Sequence, residues 1–311
     1  MTENLASGTV SDPDMTVVLA RDLTKRFDDM VAVAGISFIV SRGECVGLLG
    51  PNGAGKTTTM RMLMGLSHVS AGTLELFGEP VATLRRDHAS RIGLVPQDDN
   101  LDPDITVQQN LELYGHYFGV AAHTRAARVP ELLEFMQLEE RAEARVNELS
   151  GGMKRRLVIA RSLIADPELV VLDEPTTGLD PQARVLIWKQ LLELKRQGRT
   201  LLLTTHYMDE AQRLCDRIII VDAGEILAEG APQTLIDQYV LGHVFEVPKP
   251  LPDTWDHEAF DHEDIGDAVL IYVEQVADFV DRIPAATHYL HRQANLEDVF
   301  LRLTGRALRE N

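Results

Sequence analysis

Two short segments carry residue types whose spacing can do chemistry. The first is Gly50-Pro51-Asn52-Gly53-Ala54-Gly55-Lys56-Thr57, followed by Thr58. Set between a strand and a helix, such a loop turns backbone N–H groups inward around phosphate oxygens, and the helix N-terminus adds positive potential. Lys56 can then reach the terminal phosphates of a nucleotide, and the Thr57 hydroxyl can ligate magnesium. The second is the apolar run Leu169–Leu172 ending in Asp173 and Glu174. A buried strand of this kind delivers Asp173 to the carboxyl edge of a sheet, where it can hold magnesium through water. Glu174, one residue further out, can orient and deprotonate a water that attacks a γ-phosphate. Taken alone, the pair could equally be two acids that merely end a strand.

The elements that must position these groups follow from hydrophobic pattern. From Val17 to about Glu229, short β-branched runs alternate with longer amphipathic stretches, the rhythm of an α/β domain with a largely parallel sheet. Buried strands are expected at Cys45–Leu49, Leu169–Leu172, Thr200–Thr204 and Arg217–Val221. Between Asp98 and Arg161 strand signals vanish. Apolar positions there recur at helical spacing in Val107–Phe118 and Pro130–Leu138, with Pro130 suited to a first helical turn. This predicts a helical insert over about 98–161.

After about Tyr239 the pattern changes. Two prolines fall in Val247–Leu251, and Asp253–Asp267 holds seven carboxylates without Lys or Arg, a run expected to be solvated and flexible. Beyond it the pattern predicts a strand at Ala268–Glu274, a helix at Gln275–Ile283, a strand at Thr287–Arg292 and a closing helix capped by Asn295 with Asp298 three residues on. Leu296, Val299, Phe300 and Leu303 share one side of that helix, which is expected to pack on the small domain or on a second copy. The expected organisation is a disordered tail at 1–14, one domain at 15–240 and a small accessory domain at 241–311.

Bulk composition narrows the function. The 311 residues are 45% hydrophobic and 25% charged, as in an ordinary globular protein. No run reaches the ~18 apolar residues that a membrane helix needs, and the first fourteen residues lack the basic and apolar regions of a secretory signal. Cys45 and Cys215 are the only cysteines, too few for a disulfide framework or a four-ligand zinc site, which fits a reducing cytoplasm. A net charge of -18 argues against nucleic acid as a partner. His257 and His262 lie among the acidic residues, but no metal is assigned to them.

Leu149-Ser150-Gly151-Gly152-Met153, some twenty residues before Asp173, resembles the signature sequence of the ATP-binding-cassette (ABC) ATPases. The remaining elements of that family fall in order: Gln97 after Gly93-Leu-Val-Pro96, Gly178-Leu-Asp180 after the two carboxylates, and His206 after Leu201–Thr205. Asp98–Val107, Tyr114–Gly119, Thr204–Ala211 and Asn295–Gly305 further resemble the nodulation-factor exporter ATPases and, similarly, daunorubicin-type drug-export ATPases. The likeness runs from about Val17 to the C-terminus and is weak over Asp253–Asp267.

This resemblance implies a P-loop NTPase core of the ABC type with a helical insert and a small C-terminal α+β domain. It implies ATP and Mg2+ as ligands, Phe27 stacked on adenine, Gln97 touching magnesium or the lytic water, and His206 on the γ-phosphate. Ser150, Gly151 and Gly152 would complete the site of a second copy in a head-to-tail dimer, with Asp180 at the seam. Val107, Leu111, Tyr114 and Phe118 share a helical face beside the Gln97 loop, either as core or as the place where a separate membrane-spanning permease docks. The implied function is ATP hydrolysis at the cytoplasmic face of the inner membrane, powering export of a lipo-oligosaccharide, drug or lipid-like cargo. The alternative is a soluble ABC ATPase acting on ribosomes or chromosomes.

Overall fold

The computed structural model describes residues 15–83, 90–252, 255–284 and 287–305; the expected 1–14 tail and Asp253 of the acidic run lie outside them. Strands β1 (Thr16–Phe27) and β2 (Met30–Ser41) open the chain, and β3 (Cys45–Leu49) leads through the glycine loop into α1 (Lys56–Leu63). β4 (Ala71–Leu76), β5 (Glu79–Pro80) and β6 (Ile92–Val95) follow, then the helices α2 (Val107–Tyr117), α3 (Ala122–Phe135) and α4 (Gly151–Ser162). The alternating pattern resumes with β7 (Leu169–Asp173), α5 (Pro181–Arg196), β8 (Thr200–Thr205), α6 (Met208–Leu214), β9 (Arg217–Asp222), β10 (Glu225–Gly230) and α7 (Pro232–Tyr239). β11 (His243–Pro248), β12 (Asp261–Asp264), β13 (Ala268–Val273), α8 (Val276–Val280), β14 (Leu290–Gln293) and α9 (Leu296–Thr304) complete it.

The central sheet has the order β10-β9-β3-β8-β7-β6. Its β9, β3, β8, β7 and β6 pair in parallel, and only β10 joins antiparallel at the edge. A parallel sheet is covered on both faces, so its strands read as unbroken apolar runs, and every residue of β3, β7 and β8 is buried. Parallel pairing also brings the carboxyl ends of β3, β7 and β8 to one edge. The glycine loop, the Asp173–Glu174 pair and His206 all leave the sheet there.

A second sheet, antiparallel with order β2-β1-β4-β5, covers one face. Val18, Val33, Phe38 and Leu74 from it pack with Val46 and Leu48 of the central sheet and Met60 of α1. The sequence pattern did not foresee this sheet, because register shifts along β1 and β2 break the alternation that marks a half-buried strand. The other face packs against the helices α2 to α6 in one continuous core.

Several sequence expectations need correction. Pro130 lies inside α3 and not at its start, because the helix begins eight residues earlier in Ala122–Val129, where the apolar positions before Val129 are only exposed alanines and do not announce it. Asp261–Asp264, within the acidic run, is a strand paired with β13. Its charges are met by residues distant in sequence: Arg302 lies 2.5 Å from Asp261 and 3.6 Å from Glu263, and Lys249 lies 2.7 Å from Asp264. In the closing helix α9, Asn295 and Asp298 form the anticipated reciprocal cap. Leu296, Val299 and Phe300 are fully buried with Leu235, Ile236 and Val240 in the main core of the same chain, so that face is not available to a second copy. Helix α8 and strand β14 are shorter than the pattern suggested. No described helix is long and apolar enough to cross a membrane, and among the described residues no group of three or more His, Cys, Asp or Glu could hold a metal ion.

Packing under the site leaves no room at Gly47 in β3, where a methyl group would lie 2.6 Å from Cys215 Sγ. Gly47→Ala is expected to cost about 1–3 kcal/mol by overpacking, read from urea unfolding. Adding Cys215→Ala should recover most of the loss; an undiminished loss in the double variant would place the strain elsewhere.

Candidate functional site

A cleft of 660 Å³ opens at the carboxyl edge of the central sheet. Its floor is the glycine loop. Gly50 leaves β3 so close to β9 that a Cβ would lie 2.1 Å from the Val221 carbonyl oxygen, and Gly55 caps α1 at φ 99°, a conformation that disfavours side chains. The loop therefore keeps its backbone free to face the cleft.

Lys56, the first residue of α1, is buried, and its Nζ donates to the carbonyls of Gly50 at 2.7 Å and Pro51 at 3.0 Å. It also lies 3.5 Å from Glu174 Oε1. Burial pulls the Lys56 pKa below its ordinary value, against the opposing pull of Glu174 and Asp173. Thr57 Oγ1 donates to Asp173 Oδ1 at 3.2 Å, and Thr204 Oγ1 donates to the same oxygen at 2.6 Å. The Thr57 hydroxyl, the Asp173 carboxylate and the nearby Gln97 amide are hard oxygen donors, a set that suits Mg2+.

Glu174 adopts φ 46°, left-handed backbone that a glutamate rarely takes. Its N–H donates to Thr204 Oγ1 at 3.0 Å, and its Oε2 accepts from Thr177 Oγ1 at 3.0 Å. His206 Nδ1 stands 3.3 Å from Glu174 Oε2, an ion-pair distance without hydrogen-bond alignment. Contact with His206, together with Lys56 and Thr177, holds the Glu174 carboxyl at about 2 despite the opposing effect of burial. Phosphate oxygens bound at the loop would compete for Lys56 and His206.

Phe27, Asn52, Gly53, Gly55, Lys56, Thr57, Thr58, Gln97, Glu174 and His206 all line this cleft. Gly50 and Ala54 are buried in the loop behind it, Pro51 adjoins them, and Asp173 reaches it through Thr57. Ser150, Gly151, Gly152 and Asp180 are not among its lining residues. Ser150 caps α4, accepting from Met153 N, and Asp180 caps α5, accepting from Ala183 N. Both are exposed. The sequence reading missed Met30, Val31 and Ala32, which join Phe27 on the rim, and also Thr177 and Tyr207. Thr177 could have been found from its place three residues after Glu174, where a turn brings its hydroxyl back. The α2 face divides: Val107 and Leu111 are core, Tyr114 is partly buried, and Phe118 is exposed beside Tyr117.

Comparison with known proteins gives a consistent picture. Residues 33–177 match the ABC transporter family model, and residues 254–305 match the C-terminal domain of the nodulation factor export protein NodI. The Nod factor export ATP-binding protein I of Burkholderia lata is 53% identical over 296 residues, covering 93% of this chain and 97% of that protein. A solved ATP-binding subunit of an ABC transporter superposes with a TM-score of 0.66 at 30% identity, covering 72% of this chain and 93% of the other. A dimeric ATP-binding cassette solved with ADP and phosphate superposes with a TM-score of 0.63 at 28% identity, covering 69% and 98%.

The depressed Glu174 pKa has a consequence for folding. A carboxyl lowered from 4.5 to about 2 contributes stability above pH 4.5 that is lost as pH falls toward 2. In guanidinium melts, the difference in stability between wild type and Glu174→Gln should shift in favour of the variant across that window. A difference independent of pH there would contradict the described ion pairs.

Proposed function

The chain belongs to the ABC transporter ATPases, in the branch of the nodulation-factor export ATP-binding proteins, and from that membership we propose how its residues drive export. It is an ATP-binding and ATP-hydrolysing subunit that works with a membrane-spanning partner. The cargo class is read as a lipo-oligosaccharide or a related lipid-like or drug molecule, carried by a separate permease at the cytoplasmic face of the inner membrane. The observation that carries the catalytic reading is the convergence of Lys56, Glu174 and His206 over the glycine loop.

In this reading the adenine lies on Phe27, a residue 45% exposed at the rim of the cleft. The loop N–H groups and Lys56 take the β- and γ-phosphates. Thr57, Gln97 and, through water, Asp173 would hold magnesium, which neutralises phosphate charge when bound. Glu174 accepts the proton of the attacking water, while His206 donates to the γ-phosphate and keeps that water in line.

Ser150, Gly151 and Gly152 serve the cleft of a second copy. What supports this is the position of Ser150 and Gly151: both are exposed outside their own cleft, and a Cβ at Gly151 would meet nothing within 4 Å, while Gly152 is buried behind them against Ala183 of α5. The Ser150 hydroxyl and the N-terminus of α4 are thereby open to a γ-phosphate held by a partner, with Asp180 at the seam. ATP that bridges two copies closes them, and ADP releases them; a near-complete switch needs about 5.5 kcal/mol of differential affinity.

The permease is placed on the exposed end of α2, where Tyr117 is 69% and Phe118 36% exposed. Residues 241–311 are read as an accessory unit anchored to the cassette through α9.

Glu174→Gln should lower kcat by at least ~10²-fold while ATP affinity stays near wild type; undiminished turnover would remove Glu174 from the base role. Phe118→Ala with Tyr117→Ala should keep ATP turnover of the isolated chain and lose the permease. This is read by affinity purification from gently solubilised membranes with mass spectrometry. Stoichiometric recovery of a polypeptide with several apolar spans supports export by the wild-type chain, whereas recovery with ribosomes would overturn it.

A further inference from the structure

We infer that Arg155 is a positioning residue for hydrolysis, a single guanidinium that fixes the Glu174 turn and the Gln97 loop to the helix bearing Ser150. Arg155 lies in the second turn of α4 and is only 4% exposed. Its Nε donates to the Pro175 carbonyl at 2.7 Å, and its Nη2 donates to those of Asp173 at 3.0 Å and Glu174 at 3.1 Å. Three consecutive carbonyls of the β7 turn thus accept from one side chain. Its Nη1 donates to the carbonyls of Pro96 and Gln97 in the loop that follows β6. A guanidinium has five N–H groups in a fixed fork, and here they are spread over five carbonyls on two segments.

The turn needs such a hold. Glu174 sits at φ 46°, so its carboxylate direction depends on bonds that keep the backbone in that conformation. Thr204 secures its N–H, and Arg155 secures its C=O. The nearest carboxylate to Arg155 is Asp99 at 3.9 Å, beyond hydrogen-bond reach, so carbonyls solvate the buried charge directly while Asp99 balances it from a distance. The neighbours of Arg155 on the same helix do something different. Arg156 donates to Met136 and Gln137 of the insert, and Arg161 donates to Asn100 and Asp99; neither reaches the β7 turn. Of these three arginines Arg155 alone ties the Ser150 end of α4 to the turn that carries the carboxylate proposed as base. A shift of α4 against the central sheet therefore moves Gln97 and Glu174 together.

The inference rests on the base role of Glu174, and the test separates the two. The purified full chain is assayed for ATP hydrolysis as wild type, Arg155→Lys, Arg155→Gln, Arg156→Ala and Glu174→Gln. Both Arg155 variants lose the fork, so kcat should fall at least ~30-fold with KM for ATP within about 3-fold of wild type. Arg156→Ala, which also removes a guanidinium bonded to two carbonyls, should keep kcat within about 3-fold. Equal loss in Arg155→Lys and Arg156→Ala, or a rise in KM at constant kcat, would overturn the positioning role. So would failure of both Arg155 variants to fold while Arg156→Ala folds, which would make the residue structural. If Glu174→Gln turns over normally, the base assignment itself fails. If Glu174→Gln is inactive and Arg155→Lys is not, only the Arg155 role falls.

Discussion

The buried ammonium of Lys56 is the charge around which the site is built. Desolvating it is unfavourable unless neighbours compensate, and here two loop carbonyls and Glu174 do so. That requirement explains the surrounding architecture. The loop must close tightly enough for Gly50 and Pro51 to offer their carbonyls, which forces glycine where Val221 approaches. The acidic strand must end beside it, which demands parallel pairing of β3, β8 and β7 in that order. The same ammonium suits a nucleotide, because phosphate oxygens can replace a carboxylate as its partner at little electrostatic cost.

How much of this could be read from the sequence depends on whether the physical cause is local. The glycine loop, the strand ending in Asp173 and Glu174, and the Asn295 cap are dictated by residues within a few positions of one another, and each can be read without knowing the fold. The parallel sheet was legible because burial on both faces leaves continuous apolar runs. The β1–β2 sheet was not, since bulges scramble its alternation. The strand at Asp261–Asp264 was hidden for another reason: a run of carboxylates looks solvated until Arg302 and Lys249 arrive from elsewhere in the chain. Arg155 was silent because its partners are backbone carbonyls, which every residue carries.

The C-terminal portion is tied to the motor rather than suspended from it. Its sheet keeps its own aromatic core of Phe245, Trp255, Phe260 and Phe279. Meanwhile α9 and the inner face of β13 share the main core with α6, the helix that directly follows His206. A displacement of the His206 segment would thus be felt in the accessory unit through packed side chains, since close-packed interiors transmit strain.

In the proposed cycle Lys56 exchanges a carboxylate for phosphate while a second copy supplies Ser150. The most direct measurement is a structure of the Glu174→Gln chain with ATP and magnesium. A head-to-tail dimer is expected, in which Lys56 Nζ bonds phosphate oxygens and the partner copy's signature serine hydroxyl reaches the γ-phosphate. A bound monomer with the γ-phosphate open to solvent, or with Lys56 still turned to residue 174, would contradict it.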